Sequence, residues 1–250
     1  MRRKNYGLDT FGAMAILLAS VAVTSVYAAE SFTEALTSGK SYVDFRLRFE
    51  TVDQEDSLQD AEALTLRTRL GYATAEYVGF SAAIEFEDSR PVFGVDNFSV
   101  PASGFNTGIY SVVADPESTE LDQAYIQYKA NGFSGKIGRQ LIILDNHRFV
   151  GDVGWRQDRQ TFDGVTLSYQ ANDAINIKAS HIVKRNRIFA EDQDIDSKDS
   201  WLNASYETGF GTLTGYAYLL EIDNSTDNSL DTYGLRFDGS RKVGENSFLY

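Results

Sequence analysis

The sequence has no cysteine among its 250 residues, and it contains only two histidines, two tryptophans, two methionines and three prolines. The absence of cysteine excludes disulfides, thiolate metal sites, a catalytic thiol and a lipid anchor attached through cysteine. Two histidines, His147 and His181, are few for metal binding or acid–base catalysis. Neither forms a recognisable catalytic pattern with a serine and a carboxylate. We therefore expect no catalytic residues, no metal site and no cofactor, and the protein is not predicted to be an enzyme.

Long hydrophobic runs are confined to the N-terminus. Basic residues at positions 2–4 precede an apolar stretch from Phe11 to Val23, and Val26-Tyr27-Ala28 offers the small residues of a cleavage site. This order predicts a secretory signal peptide over residues 1–28, followed by a single barrel domain over residues 29–250. An N-terminal membrane anchor is the alternative, but polar residues interrupt the stretch before it reaches transmembrane length.

Positive charge is scarce after this segment. Removal of three basic residues and one acidic residue with the signal leaves 20 lysines and arginines against 35 aspartates and glutamates, a net charge of −15. A strongly acidic exported domain argues against nucleic acid as a partner.

What the sequence does contain is alternation with a period of two, together with 13% aromatic residues, a combination typical of β-strands. Val43 and Phe45, for example, alternate with Asp44 and Arg46, so one face of the strand is apolar and the other charged. We predict ten strands and the start of an eleventh, the ten covering residues 41–53, 62–75, 78–88, 121–130, 133–143, 160–170, 173–185, 199–208, 211–222 and 230–241.

The connections between these strands alternate between short and long. The short turns fall near residues 76–77, 131–132, 172 and 209–210, and the long loops fall at 54–61, 89–120, 144–159, 186–198 and 223–229. Long loops at one end and short turns at the other are typical of bacterial outer-membrane barrels, whose periplasmic turns are short. The predicted fold class is therefore an all-β, antiparallel transmembrane β-barrel in the outer membrane of a Gram-negative bacterium.

Acidic residues concentrate in the long loops. The stretches 54–61, 89–120, 186–199 and 223–230 together carry −11 of the −15 charges. One hypothesis is that they meet divalent cations bridging surface lipopolysaccharide, and the simpler interpretation is that they are solvated loops.

Charged residues on the inward faces of neighbouring strands are the candidates for setting selectivity. These predicted pore-lining residues are Arg46, Arg48, Arg67, Arg69, Glu85 and Glu87. Basic and acidic walls side by side favour passage of polar or anionic solutes. The same charges are equally well explained by pairing across strands that stabilises a polar interior.

The loop at 144–159 differs from the other long loops because it is nearly neutral and carries an aromatic residue, Trp155, with three arginines and three aspartates. This composition predicts a loop that packs inside the barrel and narrows it. Trp155 either stacks on a sugar ring or anchors the loop to the wall.

Several segments resemble the alginate export family of outer-membrane barrels. They are Gly138-Arg139-Gln140, Leu144 to Gly151, Gly154-Trp155-Arg156-Gln157, Gln160-Thr161-Phe162-Asp163, Val113 to Glu117, Leu121 to Tyr125 and Thr65 to Tyr72. The resemblance implies a porin-like barrel that passes polyanionic polysaccharide through an arginine-rich constriction. At the matching positions it implies candidate pore residues Arg139, Asp145, Arg148, Arg156 and Asp163.

The end of the sequence favours a fragment, because ten strands are followed by only about five residues of an eleventh, whereas single-chain barrels have an even strand number. Phe248 and Tyr250 are nonetheless similar to the terminal signal that the barrel assembly machinery recognises.

Two functions remain open. The preferred one is a passive outer-membrane channel for polar solutes, anionic or carbohydrate, whose partners would be membrane lipid, lipopolysaccharide, the solute or polysaccharide and the barrel assembly machinery. The alternative is a structural or adhesion barrel that acts through its acidic external loops.

Overall fold

The computed structural model describes residues 17–19, 28–223, 229–243 and 246–249. Most of the predicted signal peptide, part of the last acidic loop at 224–228, and Tyr250 lie outside these residues.

The described chain consists of strands and one short helix, apart from three turns of 3₁₀ helix. In chain order the elements are β1 (Leu17–Ala19), α1 (Phe32–Thr37), β2 (Lys40–Val52), β3 (Ala61–Ala73), β4 (Phe80–Asn97), β5 (Ser118–Ala130), β6 (Phe133–Gln140), β7 (Thr161–Gln170), β8 (Ile175–Asn186), β9 (Ile195–Thr208), β10 (Gly211–Leu220), β11 (Leu230–Asp238), β12 (Ser240–Val243) and β13 (Asn246–Leu249).

Strands β1 to β11 form one sheet in sequence order, and each pairs antiparallel with the next. The described sheet is open, because β1 and β11 are not paired with each other. The short connections between β3 and β4, β5 and β6, β7 and β8, and β9 and β10 lie at one end, and the long ones lie at the other. The predicted alternation of short and long connections is confirmed.

Strand β4 and the last predicted strand differ most from the sequence prediction. Strand β4 continues to Asn97 instead of ending at 88, and its last residues pair with β3 beyond a register shift. Asp88 and Arg90 occupy the positions at which the apolar residues of the alternation would continue. The predicted eleventh strand is β13, which pairs with β12 in a separate hairpin and not with the large sheet.

The two faces of the sheet have opposite character. On β2 and β3 the apolar Phe45 and Leu70 are 48% and 55% exposed, whereas Arg46 and Arg67 on the other face are 8% and 6% exposed. A soluble protein buries its apolar face, so exposed aromatics beside buried arginines are the pattern of a sheet that faces lipid. We call the face that carries the arginines the inward face.

Two long connections fold against the inward face and bury it. The covering loop (residues 98–117) places Phe98, Val100 and Val113 in a cluster with Ala61 and Ala63 of β3. The pore loop (residues 141–160) places Ile142, Leu144 and Val150 in a second cluster with residues of β7 to β10. These loops, rather than a conventional core, bury the charged side chains of the inward face.

Candidate functional site

The covering loop and the pore loop meet over the inward face of β2 and β3. Gln157 is fully buried, and its backbone N–H donates to Asp115 Oδ1 of the covering loop at 2.9 Å. Its side-chain amide donates to the Thr65 hydroxyl at 2.8 Å and to the Thr65 carbonyl at 2.9 Å. One glutamine therefore ties both loops to β3.

Arg46 and Arg48 hold the backbone of the pore loop. The Arg46 guanidinium donates to the carbonyl oxygens of Gly154, Trp155 and Arg156 at 3.1, 2.6 and 2.9 Å. Arg48 donates to the same Trp155 oxygen at 2.7 Å and pairs with Glu50. The planar fork of arginine matches such a row of carbonyls in a way that a single ammonium cannot.

Arg67 and Arg69 pair with carboxylates of the adjacent strands. Arg67 pairs with Asp44, and Arg69 pairs with Glu87 and lies 3.6 Å from Asp122. All four arginines of β2 and β3, which we call the arginine wall, therefore have carbonyl or carboxylate partners. Pairing across strands, one of the two interpretations considered from the sequence, describes the contacts of Arg67 and Arg69, whereas Arg46 and Arg48 hold the pore loop.

Arg159, at the end of the pore loop, extends this network to β4 and β5. Its guanidinium binds Asp122 through Nε at 2.9 Å and also pairs with Glu85. The neighbouring Asp158 is buried, and this burial, together with the nearby carboxylates, raises the pKa of Asp158 to about 9. Asp158 therefore carries a proton at neutral pH while the loop is packed.

Trp155 remains accessible at the surface of the pore loop, with 56% of its side chain exposed. The guanidinium carbons of Arg48 and Arg156 lie 4.4 and 4.0 Å from its ring centroid. Arg156 also lies 3.2 Å from Glu50 and 3.7 Å from Asp115. Beside this ring is a cavity of about 790 Å³ lined by pore-loop residues from His147 to Gln160.

The other predicted residues of the pore loop are separate from the arginine wall. Asp145 accepts hydrogen bonds from Tyr218 and from Asn203. It begins a turn of three consecutive residues with positive φ, ending at His147. Arg148 is exposed, with its guanidinium 5.5 Å from the Phe149 ring.

Arg139 and Asp163 face each other across β6 and β7 and form a bidentate pair at 2.8 and 2.9 Å. Each lies two residues from an exposed apolar residue, Ile137 or Val165, and would share its face in a regular strand. Gly138, between Ile137 and Arg139, has a φ of +118°, a conformation that departs from that of a regular strand. The pair is remote from the arginine wall in the sheet order.

Three lysines on the inward face of β5, β6 and β8 were missed by sequence reasoning. Lys129 and Lys178 both lie opposite serines in the same cross-strand row, and Lys136 lies in the next row. The ammonium of Lys136 lies 4.0 Å from the Tyr125 ring centroid. It is repelled by the charges of the other two lysines. We call Lys129, Lys136 and Lys178 the lysine patch.

Among the residues the structure describes, no carboxylate lies within 4.0 Å of the lysine patch. The lysine patch could have been predicted from the sequence, since Lys129 and Lys136 flank the short turn 131–132 and alternate with apolar residues.

Within the same described part, no three or more His, Asp or Glu side chains are grouped so that they could hold a metal, and no helix is long and apolar enough to cross a membrane.

A protein-family model described as alginate export matches residues 34–250. The chain belongs to the alginate export family. A search of curated proteins finds no match. Among solved structures, OccAB1 of Acinetobacter baumannii is similar with a TM-score of 0.63 at 11% identity, over 85% of this chain and 50% of that one. OccAB3 of the same organism is similar with a TM-score of 0.64 at 12% identity, over 85% of this chain and 56% of that one.

This alginate export chain thus spans about half the length of the solved barrels that it matches. The fold class predicted from the sequence, an antiparallel outer-membrane barrel, is confirmed by the sheet and by this likeness.

Proposed function

We propose that this protein contributes part of the wall of an outer-membrane channel through which polar solutes, anionic or carbohydrate, diffuse passively. The observation that carries the proposal is the inverted sheet, with exposed apolar residues on one face and buried arginines under folded loops on the other. Membership of the alginate export family supports the same function. No chemical step is required of any residue.

In this proposal the arginine wall fixes the width of the lumen. Its guanidinium groups hold the pore loop against β2 and β3, and that loop projects Trp155 and Arg156 from the wall. Arg48, Arg67 and Arg69 pair with Glu50, Asp44 and Glu87, and Arg46 is covered by the loop carbonyls that it binds. These arginines therefore supply little field to the lumen. Their contribution to selectivity is therefore mainly steric.

The preference for anions rests on the lysine patch. An ammonium without a carboxylate partner keeps its charge available to a passing solute, and such charges set the selectivity of pores. Trp155 adds an exposed aromatic face on which a sugar ring can stack. The acidic external loops repel polyanions that approach from outside and lower the rate at which they reach the lumen from that side.

The test is single-channel conductance of the complete protein in planar bilayers. We expect an ion-conducting pore whose preference for chloride over potassium falls in the triple variant Lys129→Gln, Lys136→Gln and Lys178→Gln. A correctly folded barrel without conductance would contradict the channel and favour the adhesion function. Conductance with unchanged selectivity would contradict the role of the lysines alone. Lipopolysaccharide and the barrel assembly machinery stay predicted partners.

A further inference from the structure

An apolar groove lies outside the lumen, at the end of the sheet that carries the short turns. Its volume is about 550 Å³, and almost all of its surface is carbon. One side is formed by Phe32, Ala35 and Leu36 of α1, and the other by Tyr77, Val78, Phe80, Ala82 and Ile126. An empty apolar cavity of about 150 Å³ suffices to bind benzene, so this groove is large enough for a longer hydrocarbon.

Helix α1 is fixed in place although it makes few side-chain contacts. Ser31 caps it by accepting from the Glu34 N–H, and the Ala75 N–H donates to the Ala35 carbonyl at 3.0 Å. The preceding residue Ala29 donates to the Glu76 carbonyl at 2.7 Å. These backbone bonds hold the helix beside the turn between β3 and β4, at the edge of the groove.

The large apolar residues that line this groove remain exposed. Phe32 and Leu36 are 65% and 47% exposed, and Val78 across the groove is 71% exposed. Phe32, Ala35 and Leu36 follow the i, i+3, i+4 spacing of one helix face, while Thr33, Glu34 and Thr37 occupy the other. The small Ala35 is buried and holds the helix against the sheet, whereas Phe32 and Leu36 are left as an exposed apolar patch of the kind that marks an interaction site.

The position of the groove identifies what it contacts. Its floor is the outward face of β4 and β5, where Phe80 and Ile126 continue into the exposed Ile84 and Phe86 of the lipid-facing band. Short turns mark the periplasmic end of an outer-membrane barrel. The groove is therefore continuous with the lipid surface at the level of the inner leaflet.

We propose that this groove binds one acyl chain of a phospholipid from the inner leaflet of the outer membrane, with α1 closing over it. The occupant is a hydrocarbon chain because the lining offers almost no polar atom with which to bind a headgroup or a peptide backbone. The inference concerns the outer surface of the barrel and does not depend on what passes through the lumen.

Photocrosslinking tests the proposal directly. The complete protein is reconstituted in vesicles of phosphatidylglycerol that carries a diazirine at the middle of one acyl chain, irradiated, and digested with trypsin. We expect lipid adducts on the peptide that ends at Lys40 and contains α1, in addition to those on the lipid-facing strands. The phenyl ring of Ala82→Phe takes up the space of the acyl chain in the groove, so this variant should lose most of the α1 adducts.

The matched control is Ala204→Phe, an outward alanine on β9 far from the groove, which should leave the α1 adducts unchanged. Adducts on the peptide from Gln160 to Lys178 report general lipid contact and should be equal in all variants. If Ala82→Phe fails to insert, Leu36→Asn is used instead, because Leu36 lies on α1 and not in the sheet. This variant should also lower the α1 adducts, since it places a polar group in the groove. Absence of α1 adducts in the unmodified protein, or equal α1 adducts with the groove filled, would overturn the proposal.

Discussion

The arginine wall and the lysine patch lie on the same inward face but use positive charge in different ways. Each arginine of the wall has a partner in a neighbouring strand or in the pore loop. The lysine patch, a few strands away, has no carboxylate within 4.0 Å in the described residues. In the proposed channel, positive charge is thus divided between groups that build the wall and groups that face the solute.

The choice of residue follows from this division. Several carbonyls or carboxylates in fixed positions suit the five donors of a guanidinium. Because the guanidinium is planar and rigid, arginine loses little side-chain entropy for each hydrogen bond that it forms there. A compact, strongly hydrated ammonium gains less from such a site and stays in contact with water. Replacing charges in the two regions should therefore damage different properties, stability in the first and selectivity in the second.

The largest effect is expected from Arg46→Ala. This substitution removes a guanidinium that holds three consecutive carbonyls of the pore loop. Arg48 still donates to the Trp155 oxygen in this variant, so two carbonyls lose their donor. At about 1.5–3 kcal/mol for each hydrogen bond to a charged group, the packed loop should lose at least about 3 kcal/mol. The measurement is the rate of tryptic cleavage after Arg156 in the reconstituted protein, which should rise about 100-fold, as that free energy requires.

Arg90→Ala is the matched control, because Arg90 is half exposed and pairs with Asp88 on its own strand. It should leave cleavage of the pore loop unchanged. Arg46→Lys should fall between the two, since an ammonium keeps the charge but cannot hold all three carbonyls. Equal cleavage in Arg46→Ala and the unmodified protein would show that Arg46 does not hold the loop.

A second expected effect is a pH dependence of the same loop, set by Asp158. Its pKa is raised to about 9 by burial and by the carboxylates of Glu87, Glu120 and Asp122, with Arg159 adjacent. A folded-state pKa above the unfolded value means that the stabilisation is complete below pH about 4 and is lost as the pH rises through about 9. Cleavage by subtilisin between pH about 6 and about 9 should therefore increase in the unmodified protein after correction for the protease's own pH profile.

Asp158→Asn isolates this group, because the amide mimics the neutral carboxyl at every pH. The variant should lose most of the pH dependence, whereas Asp152→Asn, a change at another aspartate of the same loop, should retain it. A slope that persists in Asp158→Asn would assign the titration to the strand carboxylates.

A smaller effect is expected from Trp155→Ala. Two guanidinium groups lie within 4.4 Å of this ring, and cation–π contacts at accessible sites contribute about 0.5–1 kcal/mol each. The loop should lose about 1–2 kcal/mol, and block of the channel current by oligosaccharides should weaken. Phe210→Ala, at an exposed aromatic of the short turn between β9 and β10, is the control. Unchanged block with a destabilised loop would mean that Trp155 only anchors the loop, the alternative that the sequence left open.

Much of this comparison could be predicted from the sequence, because alternation with a period of two shows which residues share a face of a strand. The position of Arg46 beside Phe45 was enough to place one inward and the other outward, and the turn at 131–132 was enough to pair β5 with β6. The extension of β4 could not be predicted, since Asp88 and Arg90 end the apolar alternation, while backbone pairing with β3 resumes beyond a register shift at Asp96.

The partners of the inward charges could not be predicted either, because they are distant in sequence and depend on how the loops fold. The contact of Gln157 with Asp115 joins residues 42 positions apart. Both lie in segments that resemble the alginate export family, but nothing in those segments marks one residue as the partner of the other. The acidic stretch 89–120 was expected to be an external loop, yet Asp115 within it is buried beside the arginine wall. Long-range polar contacts of this kind require the three-dimensional arrangement of both loops.

The smallest effect on stability, and the most direct test of the comparison, is expected from the lysine patch. Lys129, Lys136 and Lys178 have no carboxylate partner to leave unpaired, so changing all three to Gln should alter the free energy of unfolding by no more than about 0.5 kcal/mol per site. The anion-to-cation permeability ratio should nevertheless fall, while pore-loop cleavage stays constant. Lys198→Gln, at a half-exposed ion pair with Asp223, should change neither. If the lysine variant instead released the pore loop, the lysines would belong to the wall, and the division between structural and solute-facing charge would not hold.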